Sequence, residues 1–326
     1  MEDKVRGMFV GLAIGDVLGA PVQFGCHSDY IVEKIEKLKN FHDNHTLPKG
    51  AWTDDTSMAL CLADSLLECG GYDSYDVMKK YSDWETYGYR SYFEMGYDVG
   101  SQTDHAISRF EKNPVIKKDE AREWNAGNGS IMRLAPVIIA SESSENAVKL
   151  AWVSGRETHY SEISEMGTQV FANILFRALH EKDKEKIISL ENFYFTTEDL
   201  NETWLDNKWY ISGRIIKENN GVCFRDLGGY VLDAVAIAIW AFRKFDDFEE
   251  GMIEVLKLGG DTDTNCAIYG QLAGAYYGLA KIPDRWKNEF SLTDEIVSLA
   301  DQLHNKKPNQ SLRTRFEEDP EFFAVV

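Results

Sequence analysis

The chain has 326 residues, 44% of them hydrophobic, and only seven prolines. That length can bury a substantial core, and that composition excludes extensive disorder. The formal net charge of −19 argues against a protein that grips DNA or RNA by its phosphates, and offers nothing to an anionic membrane surface.

Apolar residues recur at three- and four-residue spacing in seven stretches. They predict helices over Val5 to Ala13, Thr56 to Glu68, Ala147 to Val153, Ile163 to His180, Tyr230 to Phe245, Phe248 to Leu258 and Asn265 to Leu279. Many of these are rich in Ala, Leu and Met, which form helices readily. Strand-like runs are confined to Trp209-Tyr210-Ile211 and Ile215-Ile216, so the expected fold class is all-α. No apolar run is expected to reach membrane-spanning length, and the first residues lead into a small-residue helix rather than a secretory segment. Five scattered cysteines (Cys26, Cys61, Cys69, Cys223 and Cys266) show no metal-type pairing and fit a reducing cytosol. The charged, turn-prone stretch at about 181–229 reads as an irregular insertion in one domain spanning 1–326, because the two most distinctive motifs flank it.

Those motifs are Trp52-Thr53-Asp54-Asp55-Thr56 and Gly259-Gly260-Asp261-Thr262-Asp263-Thr264. Each sets carboxylates and hydroxyls in a turn just before an apolar helix. Four carboxylates brought together repel one another and raise one another's pKa values, which a cation relieves. Oxygen-only ligands select Mg²⁺, Mn²⁺ or Ca²⁺ over softer metals. Each cluster also reads as a capped helix start, since Asp and Thr are favoured N-caps and acidic first turns suit the helix dipole. From sequence both readings stay open. In Trp124 to Arg133, small residues and Asn can turn backbone N–H groups toward an anion, or form an ordinary turn. It is not a Walker or dinucleotide fingerprint. The glycines of Gly11 to Pro21 suggest close helix packing or a helix end facing a site.

Taken in order, Gly15-Asp16-Val17-Leu18-Gly19, Trp52 to Thr56, Gly127 to Arg133, Thr158-His159 and Gly259 to Thr264 resemble the ADP-ribosylglycohydrolase family. Gly229 to Ala234 and Pro283 to Trp286 extend the likeness, which runs from about residue 4 to about residue 290. The resemblance implies a compact single-domain orthogonal helical bundle with two Mg²⁺ (or Mn²⁺) ions in its cleft. It implies Thr53, Asp54, Asp55, Asp261, Asp263 and Thr264 as metal ligands, and Asp55 and Asp98 as candidate catalytic carboxylates. It places Asn125, Asn128, Gly129 and Ser130 at a diphosphate, His159 beside the same ligand, and Gly100 and Ser101 in a loop over the ribose. Several relatives carry glutamate where this chain has Gln23. Glutamine cannot ionise, so Gln23 is expected to orient water or donate a hydrogen bond, not to act as base. That leans away from serine-linked hydrolases.

The expected activity is divalent-metal-dependent release of ADP-ribose from an N-linked, arginine-type acceptor, on a modified protein or a small molecule, by a cytoplasmic monomer. The alternatives are a non-catalytic ADP-ribose-binding protein on this fold and a metal-dependent hydrolase of another N-glycoside.

Overall fold

The computed structural model describes residues 1–24, 47–115, 126–189, 228–306 and 312–314. Asn125, the strand candidates at 209–216 and most of the 181–229 stretch lie outside the described residues. Within them the fold is helical: α1 (Glu2–Gly19), α2 (Asp54–Cys69), α3 (Ser74–Tyr87), α4 (Ser101–Lys112), α5 (Ala135–Ala140), α6 (Ser144–Arg156), α7 (Glu162–His180), α8 (Lys184–Ile188), α9 (Val231–Lys244), α10 (Phe248–Leu258), α11 (Thr262–Tyr277), α12 (Asp284–Lys287) and α13 (Thr293–Lys306). One short parallel pair, β1 (Tyr72–Asp73) with β2 (Leu312–Arg313), is the only sheet among the described residues.

Several helix starts carry a side-chain cap. Asp73 accepts from the N–H groups of Tyr75 and Asp76 at the head of α3, Ser143 from Asn146 at α6, Ser161 from Ser164 at α7, and Asp247 from Glu249 and Glu250 at α10. Such caps satisfy N–H groups that have no partner inside the helix. The starts of α2 and α11 differ. Neither Thr53 nor Asp261 caps its own helix through its side chain.

The centre of the molecule is the antiparallel pair α1 and α11. Gly7 faces Gly274, Gly11 faces Gly270, and Gly15 faces Cys266, so the backbones approach with no side chain between them. A Cβ at Gly11 or Gly15 would run into a backbone carbonyl of α11, and one at Gly7 would come to 2.5 Å of the Gly274 oxygen. This seam sets the register: the C-terminal end of α1, with Asp16, meets the N-terminal end of α11, with Asp261 and Asp263. One apolar core runs from Val5 to Leu303 around this pair.

One expectation needs correction. Glu2–Val22 is long and apolar enough to cross a membrane by length and composition. Most of it is buried, and its small residues serve the seam with α11. A core helix packed on all sides is apolar all round for that reason.

Candidate functional site

The glycine seam and the fold of α2 gather six aspartates. Asp54 and Asp55 occupy the first turn of α2, Asp261 and Asp263 the start of α11, and Asp16 the end of α1. Asp98 precedes α4 in a left-handed backbone conformation (φ 63°), which costs a non-glycine residue energy and clusters at functional sites. Asp16, Asp54, Asp55 and Asp263 are buried. All have their pKa values raised, first by burial and, in Asp54, Asp55 and Asp263, next by the charges of neighbouring aspartates, Asp98 and Asp16 among them.

Asp16 does what Thr53 does not. Its carboxylate accepts from the Thr53 N–H (3.1 Å), the Thr56 N–H (3.0 Å), the Thr53 hydroxyl (2.9 Å) and the Thr56 hydroxyl (2.6 Å). It is the N-cap of α2, supplied from another helix. Burial raises its pKa to about 6 against those donors. The Thr53 side chain, freed from capping, lies 3.2 Å from Asp55 Oδ2, and the Thr264 hydroxyl reaches the same oxygen at 3.4 Å. The two acidic-threonine turns thus meet at Asp55.

Asp16, Asp55 and Asp263 each offer an oxygen within 4.8 Å of the others'. Asp16 is saturated with donors and acts by positioning. Asp55 Oδ1, both Asp263 oxygens and Asp98 Oδ2 are buried and accept from no donor. Buried acceptors without partners are costly. Oxygens of this kind, held close with their pKa values raised, fit a hard divalent cation.

The glycine loop lies alongside. Asn128–Ser130 form a single 3₁₀ turn, pinned to the start of α9 by the Asn128 N–H on the Gly229 carbonyl (3.2 Å) and the Val231 N–H on Ala126 (2.9 Å). The Asn128 amide donates to the Gly228 carbonyl (2.8 Å) and to Asp261 Oδ2 (2.6 Å). Its side-chain donors are therefore committed to the acidic centre and the loop. The Ser130 hydroxyl accepts from Thr168 (2.9 Å) and faces the core. Gly129 lies under His159: a Cβ there would come to 2.6 Å of the imidazole Cε1. Gly100 is the N-cap residue of α4, Ser101 opens that helix, and both are exposed; Gln23 is half-buried just past the turn Ala20–Val22.

Behind the loop sits Arg133, fully buried. It donates to the Gly129 carbonyl (2.8 Å), the Ser154 carbonyl (3.1 Å) and the Thr158 hydroxyl (2.7 Å). Thr158 in turn lies 2.8 Å from His159 Nδ1. With Thr158 donating to Nδ1, the proton of the neutral ring sits on Nε2, which faces Gly127 and Gly129. Burial, then the Arg133 charge, hold the imidazole pKa down to about 3, so it is neutral.

Sequence reasoning passed over Asp16 and Arg133 as site residues, although both stood inside quoted motifs. The signal for Asp16 was the glycine spacing that turns it toward α11.

The comparisons agree with this geometry. A family model described as ADP-ribosylglycohydrolase matches residues 1–313. The ADP-ribosylarginine hydrolase Tri1 of Serratia proteamaculans is 30% identical over 309 residues, covering 94% of this chain and 81% of the relative. The ADP-ribosyl-[dinitrogen reductase] glycohydrolase of Rhodospirillum rubrum is 26% identical, over 90% of this chain and 92% of its own. A solved structure described as an ADP-ribosylglycohydrolase-related protein complex superposes with a TM-score of 0.73 at 35% identity, covering 94% of this chain and 98% of that one.

Proposed function

The chain belongs to the ADP-ribosylglycohydrolase family and is a glycosidase-type hydrolase, and we propose that it releases ADP-ribose from arginine-linked substrates with two Mg²⁺ or Mn²⁺ ions held by Thr53, Asp54, Asp55, Asp261, Asp263 and Thr264. The observation that carries the metal reading is the unpartnered state of Asp55 Oδ1 and both Asp263 oxygens in a buried cluster of like charge. The name of the Serratia relative, 30% identical over nearly the whole chain, supports the arginine acceptor.

When bound, such ions would hold the ribose diol and lower the pKa of a water. The chain's residues do the rest. Asp98, whose Oδ2 is bare and which stands outside the proposed ligand set that includes Asp55, takes the attacking water's proton. The neutral His159 presents Nε2–H at the edge of the glycine loop, where it donates to an anionic oxygen of the diphosphate. Gln23 orients the water or the leaving nitrogen by hydrogen bonding. The bond broken joins the anomeric carbon to the acceptor, through a transition state of oxocarbenium character.

The test measures free ADP-ribose from ADP-ribosylated arginine, serine and nucleic-acid substrates, with Mg²⁺, with Mn²⁺ and with chelator. Release from the arginine substrate that chelator abolishes is the expected result. Release that persists in chelator would remove the metal reading. Binding of ADP-ribose with no release from any substrate would put a non-catalytic binding protein in its place.

A further inference from the structure

Between α3 and α4 the chain runs Ser91-Tyr92-Phe93-Glu94-Met95-Gly96-Tyr97-Asp98-Val99-Gly100. Its rings form a continuous strip. Phe93 and Tyr97 lie 4.6 Å apart centroid to centroid, Tyr92 and Phe93 5.2 Å, and Tyr92 meets Trp52 edge-on at 5.1 Å. Tyr92 is 37% exposed. The strip is anchored to the acidic centre at both ends in sequence, since Trp52 precedes Thr53 and Tyr97 precedes Asp98. The Tyr97 phenol is raised first by burial, then by the charges of Asp98 and Asp263.

The loop has two sides. Downstream of Asp98, the Gln102 side chain accepts from the Gly127 N–H at 3.3 Å, on the side of the glycine loop and His159. Upstream, Phe93 and Tyr97 pack against Ala20, Leu47 and Ala51, and Tyr92 against Trp52. A ribose held at the acidic centre lies between them. Its diphosphate runs toward Gly127, so the group on the other side of the glycosidic bond falls toward Tyr97.

The chemistry of that side is selective. Residues 91–100 hold Glu94 and Asp98 and no lysine or arginine. The nearest arginine in sequence, Arg90, is tied to Asp64 at 2.5 and 2.7 Å and to Glu295, so it is not spent on the strip's π faces. A guanidinium is planar, weakly hydrated and permanently charged, and it stacks on aromatic faces. Building on the arginine-linked reading above, we propose that Tyr92, Phe93 and Tyr97 are the acceptor seat, binding the substrate's guanidinium by cation–π stacking beside the carboxylate centre and so setting the preference for arginine-type acceptors.

The probes are agmatine, a free guanidinium compound, and ADP-ribosylated agmatine. Tyr92→Ala and Tyr92→Lys both alter an exposed ring. Each is expected to weaken agmatine binding, read by ligand-observed NMR with Mg²⁺ and ADP-ribose present, and to raise KM for ADP-ribosylated agmatine at little-changed kcat, by about two- to thirty-fold for the alanine variant. Tyr92→Lys should do worse by repulsion. Affinity for ADP-ribose alone and melting temperature should hold. An ADP-ribose affinity that falls as far as agmatine's would overturn the proposal, because the strip would then serve the nucleotide. A wild type that hydrolyses the arginine substrate with the same KM as both variants keeps the hydrolase and loses the seat. A wild type with no turnover that binds agmatine through Tyr92 keeps the seat and loses the hydrolase.

Discussion

The acidic centre and the glycine loop share Asn128 but are opposite in kind. In the acidic centre, pKa values are pushed up and several buried oxygens meet no donor. In the glycine loop the Arg133 guanidinium spreads its hydrogen bonds over Gly129, Ser154 and Thr158, and the one titratable ring, His159, is held neutral. One half gathers like charge with bare oxygens. The other is tied together by the terminal guanidinium nitrogens of Arg133. The contrast divides the work: ligand-dependent charge on one side, preorganised donors on the other.

The sharpest way to break that division is Asp55→Ala. It removes the residue where both acidic turns meet, and turnover of an arginine-linked substrate should fall by about two to three decades. A loss below tenfold would move the chemistry elsewhere. On the other side, Arg133→Met leaves two buried carbonyls and a hydroxyl without their donor. A cost of about 2–4 kcal/mol in urea unfolding is expected, with Mg²⁺ affinity of the surviving folded protein largely kept. Equal damage to metal affinity would show that the two halves are not separable.

Asp261→Asn tests the acidic half through stability instead of rate. Saturating Mg²⁺ should stabilise the wild type by about 2.7 kcal/mol at one hundred times its dissociation constant, and the variant should lose most of that gain. An undiminished melting shift would take Asp261 off the ligand set.

Acidity gives a finer cut. Asp16 titrates near 6 in the fold against 3.8 ordinarily, and Asp54, Asp55, Asp261 and Asp263 are also raised. A raised carboxylate binds more protons folded than unfolded between the two values. Stability of chelator-treated protein should therefore fall as pH rises from about 4 through 6 and beyond. Mg²⁺ requires the ionised form, so its stabilisation should grow over the same range. Melting curves from pH 4.5 to 8, with chelator and with Mg²⁺, should diverge upward in pH; parallel curves would refute this. The smallest effect is expected at Gln23→Ala, which should slow turnover less than tenfold in the same assay, since glutamine there orients and does not ionise.

Helices with an apolar stripe were legible: the stretches at Ile163 to His180 and Phe248 to Leu258 differ from α7 and α10 by no more than a residue. α3 was not seen, because its buried Val77, Met78, Tyr81 and Trp84 are diluted by lysine, aspartate and tyrosine on the outer face. The Asp73 cap and the left-handed Gly88 that bracket it were available signals. α13 hid in the same way behind a charged face, with Ile296, Leu299, Ala300 and Leu303 inside. In the site, the local clusters Thr53 to Asp55 and Asp261 to Thr264 could be read because their ligating groups are neighbours in sequence. Asp16 and Arg133 could not be assigned, because each acts on partners brought near only by packing: Thr53 and Thr56 for one, Ser154 and Thr158 for the other. Nothing in its loop sequence says that the Asn128 amide is spent on Asp261.

The glycine seam also sets a timetable. Gly7 meets Gly274 and Gly15 meets Cys266, so nearly the whole chain must leave the ribosome before α1 finds its partner. Until then the nascent chain carries a helix of membrane-like length and apolarity with its stripe of small residues unpaired, the kind of surface that chaperones shield and that aggregates when they do not. Contacts of such long sequence separation form late and slowly. The carboxylates that the two helices bring to one end of the seam stay apart, and mutually unrepelled, until this helix pair closes.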